Sequence, residues 1–158
     1  MALEGATTNR FIPVATRAIY TFIGFAGAPL RHLYLHHDGY PTGAAWRFAT
    51  ALRHDPAATA FLAAFLRTQP QAEALTHPDQ AADADYRYVV VLLPGPDPVL
   101  QVQCWRRLPQ LNRWSPRCKP LAMALFIQRF LPGDMANGAE CSGATSADRC
   151  SETAAGQG

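Results

Sequence analysis

Long hydrophobic runs are missing from this 158-residue chain. Stretches such as residues 89–93 fall far short of the roughly 20 apolar residues that a membrane-spanning helix needs. Residues 1–16 also lack the basic start and apolar stretch of a secretory signal, so the sequence leads us to expect a cytoplasmic protein with no membrane contact. Cysteine is scarce. Cys104, Cys118, Cys141 and Cys150 show neither the close paired spacing of a zinc site nor the density of a secreted disulfide scaffold. Cys104 and Cys118 read as reduced core residues, and Cys141 and Cys150, in a stretch of small and polar residues, as free thiols. Lysine is almost absent: 13 of the 14 cationic side chains are Arg. Together with abundant Ala, Gly and Pro, this reflects the composition of the gene and has no bearing on chemistry.

Acidic residues are missing from one long segment. Residues 98–133 hold Arg106, Arg107, Arg113, Arg117, Lys119 and Arg129 without a single Asp or Glu. The overall charge of +2 hides this, because the rest of the chain carries 8 cations and 12 anions. A basic segment of this kind, with Trp105 and Trp114 among the arginines, is a candidate surface for a polyanion, whose bases stack on aromatics while its phosphates meet Arg. The competing reading is that each Trp covers the sheet while the cations keep an edge strand from pairing with other chains.

What is present suits one domain: the length is ordinary and a 49% hydrophobic content can build a real core. Residues 1–12 have no periodicity and read as a loose arm, residues 13–133 as the domain, and residues 134–158, rich in Gly, Ala and Ser, as a disordered tail. Residues 18–23 and 30–37 alternate with period two around a turn at 24–29, predicting an antiparallel hairpin. Residues 42–53 space Ala45, Phe48, Ala49 and Leu52 as a helix, with Pro41 suited to its first turn. Asp55-Pro56 then signals a second helix, carrying Phe61, Leu62, Phe65 and Leu66 and ending by Pro70. Residues 71–84 read as a connection with a helical turn around 73–75.

Residues 86–93 form the strongest predicted strand, apolar on both alternating sets toward its end and so expected to be central and covered on both faces. Residues 99–106 alternate as its half-buried partner. Residues 113–119 give a fifth strand that Pro116 confines to an edge or bulge. A last helix, opened by Pro120, runs over 121–131 with Leu121, Leu125 and either Ile127 or Gln128 in register. The order is ββααβββα, an α+β fold with a mostly antiparallel sheet of about five strands and helices packed on it.

The junction His36-His37-Asp38-Gly39-Tyr40-Pro41 concentrates the chemistry. Asp38-Gly39 is a turn pair, with Gly free to take positive φ and the Asp carboxylate able to cap the turn into the helix. Tyr40 would pack back on the hairpin, and Gly43 would let helix and sheet approach. Three chemical readings stand beside this structural clasp. His32, His36 and Asp38 supply two imidazoles and a carboxylate that a divalent metal needs to activate water against a phosphoester, since His32 and His36 share a strand face. His36 or His37 is a candidate general base oriented by Asp38, although no Ser or Cys nucleophile is placed for it. A helix N-terminus at Thr42, with two histidines beside Arg31, suits a phosphate or carboxylate of a partner. His54 and His77 fall in loops between helices.

The pattern Arg17-Ala18-Ile19-Tyr20-Thr21-Phe22, a short turn, and Leu33-Tyr34-Leu35 running into His36-His37-Asp38-Gly39-Tyr40-Pro41 resembles a family of small uncharacterised proteins of phages, prophages and plasmids. Its members open with a hairpin that ends in a His-(His/Trp/Tyr)-Asp-Gly-Tyr-Pro motif before a helix. Tyr86-Arg87-Tyr88-Val89-Val90 and Pro120-Leu121-Ala122 are similar to that family's second half, so the likeness spans residues 17–131. Thr42 departs from it, standing where an acidic residue is common. The resemblance implies the fold and a mobile-element setting, and it carries over no catalytic residue. The sequence thus favours a non-enzymatic accessory protein, without cofactor or resident metal, that binds a host or element protein or nucleic acid. The alternative is the metal-assisted hydrolase.

Overall fold

The computed structural model describes residues 15–108, 110–131 and 133. The N-terminal arm and the 134–158 tail, with Cys141 and Cys150, lie outside the described residues. Alternation of large apolar side chains builds a six-stranded sheet from β1 (Ala18–Phe25), β2 (Ala28–Leu35), β3 (Glu73–Leu75), β4 (Tyr86–Leu93), β5 (Val99–Leu108) and β6 (Arg113–Ala122). Their order is β3-β2-β1-β4-β5-β6. β1 and β4 are parallel and every other pair is antiparallel. The expected α+β class and mostly antiparallel sheet are therefore present, with one strand more than the sequence suggested.

Every second residue of the inner strands points to one buried face: Ala18, Tyr20 and Phe22 of β1, Tyr86, Tyr88 and Val90 of β4, and Leu100, Val102 and Cys104 of β5. The helices α1 (Pro41–His54), α2 (Phe61–Thr68) and α3 (Met123–Phe130) cover that face. α1 contributes Ala44, Ala45, Phe48 and Ala51, so small residues let its axis come close while one phenyl ring fills the gap. The Phe48 ring centre lies within 6.2 Å of Tyr20, Phe61, Phe65, Tyr88 and Phe126. This aromatic cluster ties all three helices to β1 and β4. Among the described residues no helix is long and apolar enough to cross a membrane.

Several sequence expectations need correcting. Residues 73–75 form the edge strand β3, not a helical turn, because Glu73, Ala74 and Leu75 take up ladder positions opposite Tyr34, Leu33 and His32. That gain comes from a distant strand, and a polar Ala-rich segment carries no local sign of it. β4 is central but covered fully on one face only: Arg87, Val89 and Val91 are half-buried on the other. There the cover is partial, with Ala81 and Ala84 packed on Ile19 and Tyr34, and Leu75 and Trp114 beside them. The last helix starts two residues late, since Leu121 and Ala122 continue β6 opposite Val102 and Gln101. Its buried residues are Met123 and Phe126, while Leu125 is exposed. Pro116 does lie in an edge strand, as its missing donor requires. Asp55 ends α1, and its carboxylate accepts the Ala57 N–H at 3.0 Å, after which a 3-10 turn (Ala58–Ala60) leads into α2.

Because Phe48 is fully buried among five other rings, Phe48→Ala removes contacts that its neighbours cannot regain by collapse. The expected loss is about 3–5 kcal/mol, read as a lower urea midpoint with an unchanged slope.

Candidate functional site

The chain leaves β2 at Leu35 and enters α1 at Pro41, and backbone hydrogen bonds hold the five residues between them against the sheet. The Gly39 N–H donates to the Thr16 carbonyl at 2.9 Å, and the Gly39 carbonyl accepts the Tyr88 hydroxyl at 2.6 Å. A Cβ on Gly39 would stand 2.9 Å from the Thr16 oxygen and the Arg17 carbonyl carbon, so glycine is needed there for close approach. The positive φ predicted for Gly39 belongs instead to Asp38, at 52°. Asp tolerates this conformation because its short polar side chain suits left-handed turns. Nor does Asp38 cap α1: the N-cap is Tyr40, whose side chain makes no cap bond. A Cβ on Gly43 would run into the Asp38 carbonyl oxygen, so the close approach it permits is between helix and turn.

Arg47 explains why the turn and the helix are held so tightly. It sits on the buried face of α1 and is only 5% exposed. Its Nη2 donates to the His37 carbonyl at 2.6 Å and its Nη1 to the Asp38 carbonyl at 2.7 Å and the Tyr20 hydroxyl at 3.3 Å, while Nε donates to Gln69 Oε1 at 3.1 Å. Four of its five N–H groups thus have neutral oxygen acceptors. Among the described residues no carboxylate lies within ion-pair distance of it. Burying an unpaired cation costs several kcal/mol, and hydrogen bonds to a charged donor, roughly 1.5–3 kcal/mol each, are what offsets it. Burial also pushes the Tyr20 phenol up to about 12 against the opposing pull of Arg47, so it stays neutral and can accept.

Above Arg47 opens a cleft of about 610 Å³. Arg47 and Gln69 are its buried polar residues, and Trp46 and Tyr40, 46% and 56% exposed, stand at its mouth. His37, Asp38, Thr42, Gly43 and Gln71 complete the wall. A second cavity of about 160 Å³ shares His37, Arg47 and Gln71 and adds Leu35 and His36. The first turn of α1 therefore faces a concave, largely aromatic-rimmed space that contains one buried cation. Arg47 lines this space, and a guanidinium and the positive end of a helix both favour an anionic group.

No family model, curated protein or solved structure matches the chain. The site must be read from its own geometry.

The other predicted residues are dispersed. His32 Nδ1 is 2.9 Å from Thr21 Oγ1 in the sheet. His36 Nε2 is 3.0 Å from Glu73 Oε1, and its ring is 4.4 Å from that of Tyr34. Asp38 lines the cleft. His32, His36 and Asp38 therefore do not converge, and among the described residues no three His, Cys, Asp or Glu side chains are placed to share a metal ion. His32 lies within β2 and His36 one residue past its end, and each takes its own neighbour. Pro41 is buried in the first turn of α1. Tyr40 leans on Tyr86 of β4 at 5.8 Å, not on the hairpin. Arg31, the cation expected beside the histidines, is exposed on β2, and the cation bonded to this turn is Arg47, through the His37 carbonyl.

The basic segment is split. Arg107 lies over the Trp114 ring at 5.6 Å and donates to Asn112 Oδ1 at 3.1 Å. Arg106 and Arg117 lie near Tyr86, where their charge opposes the upward shift that burial gives its phenol. Trp105 is half-buried on β5 opposite Arg87 and Pro116, and Arg113 and Lys119 are exposed on β6. The sequence missed Arg47, Trp46 and Gln69. A signal for Arg47 was present: it falls between Ala44 and Ala51, a lone cation in the apolar stripe of an amphipathic helix.

Arg47→Met should lower stability by about 3 kcal/mol, because it leaves buried carbonyls and Gln69 without a donor, and the loss is measurable by urea unfolding. His32 allows a separate test. Burial, with Arg87 and His77 adding to it, holds its pKa below the ordinary 6.5, so the unfolded chain takes up that proton first. Stability should fall as pH drops below about 6.5 and level off above it. In a paired pH series of thermal unfolding, His32→Gln should show a shallower fall between about pH 7 and 5.

Proposed function

We propose that the protein acts by binding a partner protein, and that the partner inserts an acidic side chain or C-terminal carboxylate into the cleft at the start of α1. The observation that carries this reading is Arg47, a buried guanidinium with only neutral partners on the wall of a 610 Å³ cleft. Exposed Trp46 and Tyr40 at the mouth are the side-chain types that anchor protein interfaces, large and amphipathic with few rotatable bonds. A carboxylate would meet the cation that has no acidic partner among the described residues, and the aromatic rim would exclude water around it. The motif resemblance supports a setting as an accessory protein of a mobile genetic element. Hydrolysis through His32, His36 and Asp38 loses its footing because those side chains are engaged separately.

Capture from the natural host tests this. The native chain should retain a protein partner after nuclease treatment, and Trp46→Ala with Tyr40→Ala, both at exposed side chains, should cut recovery at least tenfold while the chain still unfolds in one cooperative transition. Capture that survives in this double variant and is lost in Arg107→Ala with Trp114→Ala sinks the cleft reading. So does a steeply salt-dependent gel shift with nucleic acid that follows the same pair.

A further inference from the structure

The sheet brings together two thiols that lie 14 positions apart in sequence. Cys104 on β5 and Cys118 on the edge strand β6 are direct cross-strand partners, both buried and both free. Directly opposed residues of an antiparallel pair have Cα atoms about 4.5–5.5 Å apart, inside the roughly 4.4–6.8 Å window of a disulfide. Their place as register partners thus puts them within reach of a disulfide.

Three further observations bear on their reactivity. The pairing register slips on both sides of Cys104, between Val102 and Cys104 and again between Cys104 and Trp105, so the ladder there is irregular. Pro116 and Pro120 flank Cys118 on the edge strand β6, which has a neighbouring strand on one side only. The two thiols also act on each other's ionisation. A hydrogen bond from the Cys104 thiol draws the Cys118 pKa down, helped by the Arg129 charge, while the same bond and burial draw Cys104 up. Cys118 is thus the thiol whose pKa is drawn down, and it lies on the edge strand of the sheet.

We propose that Cys104 and Cys118 form a reversible dithiol/disulfide couple, a modification site for small-molecule disulfides such as glutathione disulfide. The Cys118 thiolate attacks one sulfur of the oxidant and displaces a thiolate, which takes up the proton Cys118 released. A mixed disulfide on Cys118 results. Cys104 then loses its proton, its sulfur attacks Cys118, and the second small thiolate leaves and takes that proton. One oxidant gains two electrons and yields two thiols, while the protein loses two hydrogens and gains one S–S bond. The β5–β6 pair is then cross-linked beneath α3, independently of anything bound in the cleft.

The test uses the full chain with Cys141→Ser and Cys150→Ser, equilibrated with glutathione disulfide and quenched by alkylation under denaturing conditions. Free thiols should fall from two to none. Tryptic peptides carrying Cys104 and Cys118 should appear as one disulfide-linked pair that dithiothreitol separates. In that background, adding Cys104→Ser should make Cys118 accumulate a stable glutathione adduct, and adding Cys118→Ser should leave Cys104 largely unmodified. The proposal is overturned if the two-cysteine chain holds separate glutathione adducts, or if both thiols stay free in the folded chain while reacting in denaturant.

Discussion

One guanidinium holds the architecture at its most demanding point. Where β2 hands over to α1, the chain turns through five residues whose carbonyls at His37 and Asp38 belong to no ladder, and Arg47 reaches back from the second turn of the helix to bond both. Tyr20 and Gln69 accept two more of its hydrogens, so β1, the turn, α1 and the end of α2 are joined through a single side chain. An arginine suits this because its planar fork serves several acceptors at fixed angles. The arrangement also concentrates charge: a cation that is structural for the turn has no ion-pair partner among the described residues, and the cleft forms next to it. The constraint that fixes the corner thus also creates the site's electrostatic character.

The sheet is asymmetric in a way that follows from its connections. All three helices lie on one face, so Tyr20, Tyr88 and Val90 are fully buried there, while Val89 and Val91 on the other face are only half-covered. The segment that folds across that second face is held at its end by Tyr34, which donates to Asp83 at 2.7 Å, and by the Asp85 backbone, which bonds Arg17 and Arg107. These bonds draw the start of β4 beside β1 and fix the parallel pair. β6 closes the sheet at an edge blunted by prolines and cations, which discourages pairing with other chains.

Much of the fold was legible because its strands and first helix follow simple periods. Residues 86–93 were placed with both ends correct, and the alternation of Leu100, Val102 and Cys104 in β5 appears as read. β3 was not legible, since three residues with no hydrophobic pattern become a strand only when β2 offers an edge. The start of α3 was misplaced for the same reason: Leu121 and Ala122 suit a helix locally but gain more from pairing with β5. The motif was recognised as a corner, yet its internal logic was inverted, with Asp38 strained and Gly39 crowded.

By itself the sequence determined the period of each long element, the α+β class and the position of the turn at residues 36–41, because these depend on neighbours within a few residues. Only the tertiary structure decided that His32, His36 and Asp38 separate, that Arg47 is the cation at the corner, and that Cys104 meets Cys118. Each of those outcomes rests on which side chains and backbone oxygens, distant in sequence, come within a few ångströms. A hydrogen bond or a disulfide is set by that distance, which local pattern does not encode.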